Sequence, residues 1–262
     1  MIKIDNVKKV FNRGTVNENW AVKGVSVDIK QGSFVTVIGG NGSGKSTLLN
    51  LVAGYLKPDE GRILIDDEDV SNVTDYKRAS YIGIVFQDPL SGTAKSLSIE
   101  ENLAIAMKRG QKRMFGMGVK SRDREFYREQ LRMLDLGLEN RLKDKAGLLS
   151  GGQRQALTLL MATLVKPKIL LLDEHTAALD PKTADKILKL TVKLVKENSL
   201  TAMMVTHNMK QALSLGERTV MMQLGKKVLD VDGEERKKLT VTDLLELFSR
   251  ELGDEAYDAG ML

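Results

Sequence analysis

Cysteine is absent from this 262-residue chain, which excludes a disulfide scaffold and any Cys-based metal centre. Histidine is nearly absent. His175 and His207 are the only two, too few for a His-based zinc site. No segment approaches the ~18 consecutive apolar residues that a membrane-crossing helix needs. The opening Met1-Ile2-Lys3-Ile4-Asp5 lacks the apolar core of a signal peptide. The expectation is a chain that does not cross a membrane by itself. Charge imbalance is small: 40 Lys and Arg against 35 Asp and Glu give a net charge of +5. That is compatible with an anionic ligand, an anionic membrane surface or nucleic acid, and equally with an ordinary solvated surface. Neither an internal repeat nor a linker long enough to separate two independent domains is visible.

What is present suits a sizeable core. Hydrophobic residues make up 42 % and charged residues 29 %, and the length fits one large α/β domain, with or without a modest subdomain. Apolar, β-branched runs at 2–7, 21–29, 34–38, 61–65 and 81–86 read as strands. Residues 46–56 read as a helix that stops near Gly54 and Pro58. From about 90 to 165 the pattern turns helical, with 99–108, 122–134 and 153–165 as segments. Strands resume at 168–172, 200–206, 219–224 and 226–231, with helices at 181–197, 209–215 and 240–249. This is an α/β core interrupted by a helical insert. Residues from 251 to the end are expected to fray.

Two elements carry phosphate chemistry. Gly39-Gly40-Asn41-Gly42-Ser43-Gly44-Lys45-Ser46-Thr47 fits G-x-x-x-x-G-K-[ST], after one strand and at the start of a helix. Glycines let the backbone wrap around phosphate with N–H groups inward, and the helix N-terminus adds positive potential. Lys45 can reach the outer phosphates, and the Ser46 hydroxyl can ligate magnesium. The bland alternative, a flexible Gly-Ser loop, does not account for the strand before and the helix after. The second element is Ile169-Leu170-Leu171-Leu172-Asp173-Glu174, a buried strand delivering two carboxylates at its end. Asp173 would hold magnesium through its water shell, and Glu174 would orient the attacking water or accept its proton. Adjacent acids at a strand end are commonplace on solvated surfaces; the phosphate loop gives this pair its meaning.

Between these elements lies Leu149-Ser150-Gly151-Gly152-Gln153, which resembles the signature motif of the ATP-binding cassette (ABC) family. The family's other marks follow in order. Gln87, in Val85-Phe86-Gln87-Asp88-Pro89, resembles the Q-loop. Ala178-Leu179-Asp180 resembles the D-loop, His207 the switch histidine, and Phe11 the aromatic that stacks on adenine. The resemblance spans roughly residues 1 to 250. It implies a P-loop ATPase core with an N-terminal antiparallel β subdomain and a helical subdomain at about 90–165, all within one domain.

The resemblance also implies roles. Phe11 and Gly39 to Thr47 bind ATP. Ser46, Gln87 and Asp173 serve magnesium. Glu174, His207 and Gln87 serve catalysis. Ser150, Gly151, Gly152, Gln153 and Asp180 act on ATP held by a second subunit, so two chains would pack head to tail around two ATP molecules. Taken singly, Phe11 also reads as a core aromatic, His207 as a passive strand-end residue, and Gln87 as a surface amide. One departure stands out, since the residue after Glu174 is commonly proline in the family and here is His175. With the loop Gly14-Thr15-Val16-Asn17-Glu18 and the segment 148–164, it resembles bacterial importer ATPases of the tryptophan/tyrosine type. That implies a peripheral ATPase on the cytoplasmic face of the cell membrane, working as a homodimer with an integral membrane permease and an extracytoplasmic solute-binding protein, and with no specific nucleic acid. An exporter or lipoprotein-release ATPase, or a cassette that moves no solute, stays open as the alternative.

A basic run completes the reading. Between Met107 and Arg132, nine Lys and Arg (108, 109, 112, 113, 120, 122, 124, 128 and 132) face only Asp123, Glu125 and Glu129. Contact with anionic headgroups and a solvated charged face are both compatible with it.

Overall fold

The alternation of β-branched runs with helical patterns sets the element order. The computed structural model describes residues 1–111 and 118–252. The strands are β1 (Ile2–Phe11), β2 (Asn19–Ile29), β3 (Phe34–Ile38), β4 (Glu60–Ile65), β5 (Glu68–Asp69), β6 (Ile82–Val85), β7 (Ile169–Asp173), β8 (Ala202–Val205), β9 (Arg218–Gln223) and β10 (Lys226–Asp232). The helices are α1 (Lys45–Ala53), α2 (Asp75–Arg78), α3 (Ile99–Met107), α4 (Asp123–Arg132), α5 (Gly151–Leu164), α6 (Pro181–Glu197), α7 (Met209–Ser214), α8 (Gly233–Lys238) and α9 (Val241–Leu252). They form two compact units, one from Met1–Arg78 together with the chain from Thr201 onward, the other from Ala79–Leu200.

The first unit holds an antiparallel sheet in the order β2-β1-β4-β5, with Ile2 opposite Ile29 on one side and Ile65 on the other. β1 runs to Phe11, past the expected end at Val7. Register shifts between Ile4 and Val7 let the strand continue across Asn6, whose φ is +47°. Asp66 and Asp67 both have positive φ and form the two-residue β4–β5 turn, the geometry that suits the twist of a hairpin. Beside this sheet, β3 pairs in parallel with β8 on one edge and β9 on the other, and β10 returns antiparallel to β9. Every residue of β3 and β8 is buried, as continuous apolar runs covered on both faces require. α7 and α9 pack on this part of the unit through Met209, Ala212 and Leu244 against Ile38 and Met221. The fully buried Arg78 closes the C-terminal end of α1. Its Nη1 donates to Leu51 O and Val52 O, both at 2.8 Å, its Nε donates to Val73 O at 3.0 Å, and its Nη2 donates to Val70 O.

In the second unit β6 and β7 pair in parallel, from Ile82 opposite Ile169 to Val85 opposite Leu172. α3, α4 and α5 enclose a core that includes Ile99, Leu103, Leu131, Leu157 and Leu160, each 0–1 % exposed. Burying one such side chain contributes about 1.5–3 kcal/mol. Side chains set where the helices begin. Ser98 and Glu101 form a reciprocal capping box at α3, and Asp180 caps α6 ahead of Pro181 at its first position. α4 ends sooner than the pattern predicts, because Asp135 and Gly137 beyond it take left-handed backbone. The short polar helices α2 and α8 have no apolar period to announce them. α9 continues through Leu252, past the expected start of the tail; residues 253–262 lie outside the described residues.

Candidate functional site

The phosphate loop leaves the buried strand β3 and enters α1. Two of its glycines are sterically required. A Cβ on Gly39 would lie 2.1 Å from Met222 O, and one on Gly44 would lie 2.3 Å from Ala21 O at a φ of +99°. The β9–β10 turn braces the loop, Gly225 N donating to Ser43 O at 3.1 Å. Lys45 is 5 % exposed, and its ammonium donates to Gly39 O and Gly40 O at 2.8 Å each, so it curls back over its own loop. The Ser43 hydroxyl is buried with no hydrogen-bond partner among the described residues. A buried cation, an unsatisfied hydroxyl and a helix N-terminus, beside a loop with no room for a Cβ at Gly39 or Gly44, form a cradle fitted to phosphate. Ser46 and Thr47 follow on the first turn of α1.

His207 comes from the adjacent strand. β8 lies beside β3 with Val205 opposite Val37, and Thr206 N donates to Val37 O at 3.1 Å. His207 therefore leaves the sheet at the same end as the phosphate loop. Its neighbours are fixed, since Asn208 N donates to Thr206 Oγ1 at 3.0 Å and the Asn208 side chain caps α7. Phe11 ends β1 opposite Asn19, with the Lys9 ammonium 5.8 Å from its ring centroid. In the loop that follows, Glu18 accepts from Gly14 N at 2.7 Å and from Trp20 Nε1 at 2.9 Å.

The other predicted residues belong to the second unit. Gln87 lies two residues beyond β6, and Asp173 ends β7, so both leave neighbouring parallel strands at the same end. Glu174 has a φ of +42°, left-handed backbone that a residue with a Cβ adopts at a cost. It opens a turn in which Ala177 N donates to Glu174 O at 2.9 Å. His175 is 1 % exposed, with Nε2 3.0 Å from Thr191 Oγ1. Thr191 Oγ1 gives its own proton to Ile187 O at 2.8 Å, so His175 Nε2 is the donor of that pair. Burial pulls the His175 pKa down from 6.5 to about 4, and the ring is neutral at physiological pH.

The signature residues begin α5. Ser150 Oγ accepts from Gln153 N, and Gln153 Oε1 accepts from Ser150 N, both at 3.2 Å. Asp180 caps α6 beside them. A Cβ on Gly152 would lie 2.2 Å from Thr183 Cγ2, so this glycine lets the starts of α5 and α6 pack together, whereas one on Gly151 would make only an ordinary contact, 3.4 Å from Leu179 Cδ2. Hydrogen bonds from Thr183 hold the Asp180 carboxyl below its usual range. The arrangement offers N–H groups of a helix start flanked by an ionised carboxylate.

A family model described as ABC transporter matches residues 22–177, more than half of the chain. The chain belongs to the ABC transporter family. Among relatives of this ABC protein, the tyrosine transport ATP-binding protein of Clostridioides difficile (strain R20291) is 43 % identical over 248 residues, covering 95 % of this chain and 98 % of that one. The methionine import ATP-binding protein of Clostridium tetani (strain Massachusetts / E88) is 34 % identical over 259 residues, covering 97 % and 73 %. A solved dimeric ATP-binding cassette in a post-hydrolysis state with ADP and Pi superposes with a TM-score of 0.75 at 34 % identity, covering 88 % of this chain and 98 % of that one. The chain is thus an ATP-binding subunit and an ATP hydrolase of the ABC transport type, with the α/β fold of that class.

Sequence reasoning passed over Gln155, which is fully buried on α5 with its side-chain Nε2 3.0 Å from Phe86 O and 2.7 Å from His175 O. A glutamine inside a helix ordinarily reads as solvent-facing, so only its distance from Ser150 could have raised the question. Part of the basic run is paired within the protein. Arg109 donates to Ala162 O at 2.9 Å and to Val165 O. Arg124 pairs with Glu100 at 2.7 Å, and Arg128 and Arg132 pair with Glu125. Lys112 and Arg113 lie outside the described residues. Among the described residues, no helix is long and apolar enough to cross a membrane.

Proposed function

We propose that this ABC ATPase powers a bacterial importer of a small solute, with an aromatic amino acid such as tyrosine as substrate. It acts as a homodimer on the cytoplasmic face of the membrane, with a permease and an extracytoplasmic solute-binding protein. Residues 1–250 act as one cassette domain, with 90–165 as its helical subdomain. Support for the transport reading comes from a relative 43 % identical over almost the whole length of both chains and named for tyrosine transport.

The observation that carries the catalytic reading is Glu174, held in left-handed backbone directly after the carboxylate that ends β7. By family resemblance, the loop from Gly39 to Thr47 holds the phosphates of ATP and Phe11 stacks on adenine. Ser46, Gln87 and Asp173 provide a hydroxyl, an amide oxygen and a carboxylate, an all-oxygen donor set that suits magnesium. Magnesium, when bound, neutralises charge on the β- and γ-phosphates. Glu174 takes the proton of the attacking water as its oxygen bonds to the γ-phosphorus and the bond to the β-phosphate oxygen breaks, giving ADP and phosphate. Gln87 orients that water, and His207 donates to the γ-phosphate. Ser150, Gly151, Gly152, Gln153 and Asp180 address the ATP held by the partner chain, so hydrolysis needs two chains.

The test of the transport assignment is purification from membranes. The chain should copurify with a polytopic membrane protein, and in proteoliposomes carrying that protein and a solute-binding protein, tyrosine should stimulate ATP turnover. Stimulation by an unrelated solute with none by an aromatic amino acid would overturn the substrate.

A further inference from the structure

We propose that Gln155 is a positioning residue: one buried side-chain amide ties the segment carrying Gln87 to the turn carrying Glu174 and holds the hydrolytic geometry of both. The inference rests on the reading of Glu174 and Gln87 given above.

The ladder between β6 and β7 ends with Val85 opposite Leu172. Beyond that pair the two chains become loops, and these loops carry Gln87 and Glu174. The Gln155 amide continues the cross-link past the last ladder pair. Its Nε2 reaches Phe86 O at 3.0 Å, one residue before Gln87, and His175 O at 2.7 Å, one residue after Glu174. Two carbonyl acceptors can be met only by an NH2 group, so the orientation of the amide is fixed by its surroundings. The side chain is fully buried and has no solvent to compete for its donors.

Glu174 gives this cross-link a purpose. At a φ of +42° its backbone persists only where neighbours over-determine it. Asp173, on one side, belongs to β7. His175, on the other, is gripped at two atoms, its carbonyl by Gln155 and its ring Nε2 by Thr191 of α6 at 3.0 Å. The carboxylate of Glu174 is therefore aimed by a backbone pinned from α5 and α6 together. α5 also begins at Ser150, so the helix whose start addresses the partner's ATP holds the Glu174 turn some one and a half turns later. A shift of α5 on nucleotide contact would move both loops through the same amide.

The test replaces the donor while keeping the length. In the full-length protein Gln155→Met should lower kcat for ATP by roughly 10- to 100-fold, the cost of displacing a catalytic group by a fraction of an ångström to an ångström. KM for ATP and nucleotide affinity should stay within about twofold, because the phosphate loop is untouched. Thr191→Val keeps the size of the side chain and removes the grip on the His175 ring together with the hydroxyl's own bond to Ile187 O within α6; it should lower kcat by a smaller factor with the same constancy of KM. Should Gln155→Met lack a cooperative thermal transition, Thr191→Val alone decides. Wild-type kcat in the folded variants, or kcat and affinity weakening in step, would overturn the positioning role. Glu174→Gln is measured in parallel: near-normal turnover there overturns the catalytic reading itself, whereas loss of turnover there with wild-type kcat in Gln155→Met overturns only this inference.

Discussion

His175 makes folding stability depend on pH in a window where few other side chains titrate. Its ring is buried, and its pKa falls from 6.5 in an unfolded chain to about 4 in the folded protein. The unfolded chain therefore binds the proton first as pH falls. Stability is full above about pH 6.5, declines as pH drops towards 4, and levels off below. At about 1.4 kcal/mol for each tenfold change in proton concentration, the whole shift corresponds to roughly 3 kcal/mol, and the part between pH 6.5 and 5 to about 2 kcal/mol. Ordinary carboxylates titrate mainly below that upper part, so urea midpoints measured from pH 5 to 7.5 isolate the imidazole. His175→Gln, which keeps an amide donor near Thr191, should remove most of this slope. An unchanged slope in the variant would refute the burial argument.

Three further outcomes follow from the geometry. Gly39→Ala should weaken ATP binding by roughly tenfold or more, about 1.4 kcal/mol, because its Cβ would meet the backbone carbonyl of Met222; equilibrium titration with a fluorescent ATP analogue measures it. Arg78→Met should destabilise the fold by about 3 kcal/mol or more, read from the urea midpoint, since it strands buried carbonyls at the end of α1. Ser150→Arg should abolish turnover while the monomer's affinity for ATP changes by less than about twofold, since the proposed function has this residue address the partner's nucleotide and not its own; titration and turnover on one preparation separate the two.

Much of the fold was legible because local chemistry and global packing agree. α6 has its expected limits, since Asp180 and Pro181 set its start and an amphipathic period carries it to Glu197. α1 stops before Gly54, whose backbone is left-handed. β3 and β8 announce themselves as uninterrupted apolar runs. Strand limits were harder to read: β1 passes through bulges that the alternation of its residues does not encode. α8 is polar on every side, yet its Arg236 donates to Ala212 O at 2.8 Å and so braces α7 after His207, a tertiary contact with no sequence period. The two parts of the candidate site differ in the same way. Glycine-rich loops, strand-end acids and caps are written in short motifs. Gln155, Thr191 and the burial of His175 depend on which helix faces pack together, and a single sequence does not show that. His175, which stands where the family commonly has proline, is held at both its ring and its carbonyl.

The central claim is that two copies of this chain close around ATP and that Glu174 then drives hydrolysis. Light scattering coupled to size exclusion, applied to Glu174→Gln with ATP and magnesium, tests both halves at once. The account predicts a stable ATP-dependent dimer together with turnover reduced on the order of 10²-fold or more. A variant that remains monomeric with ATP, or that hydrolyses it at near the wild-type rate, would contradict it.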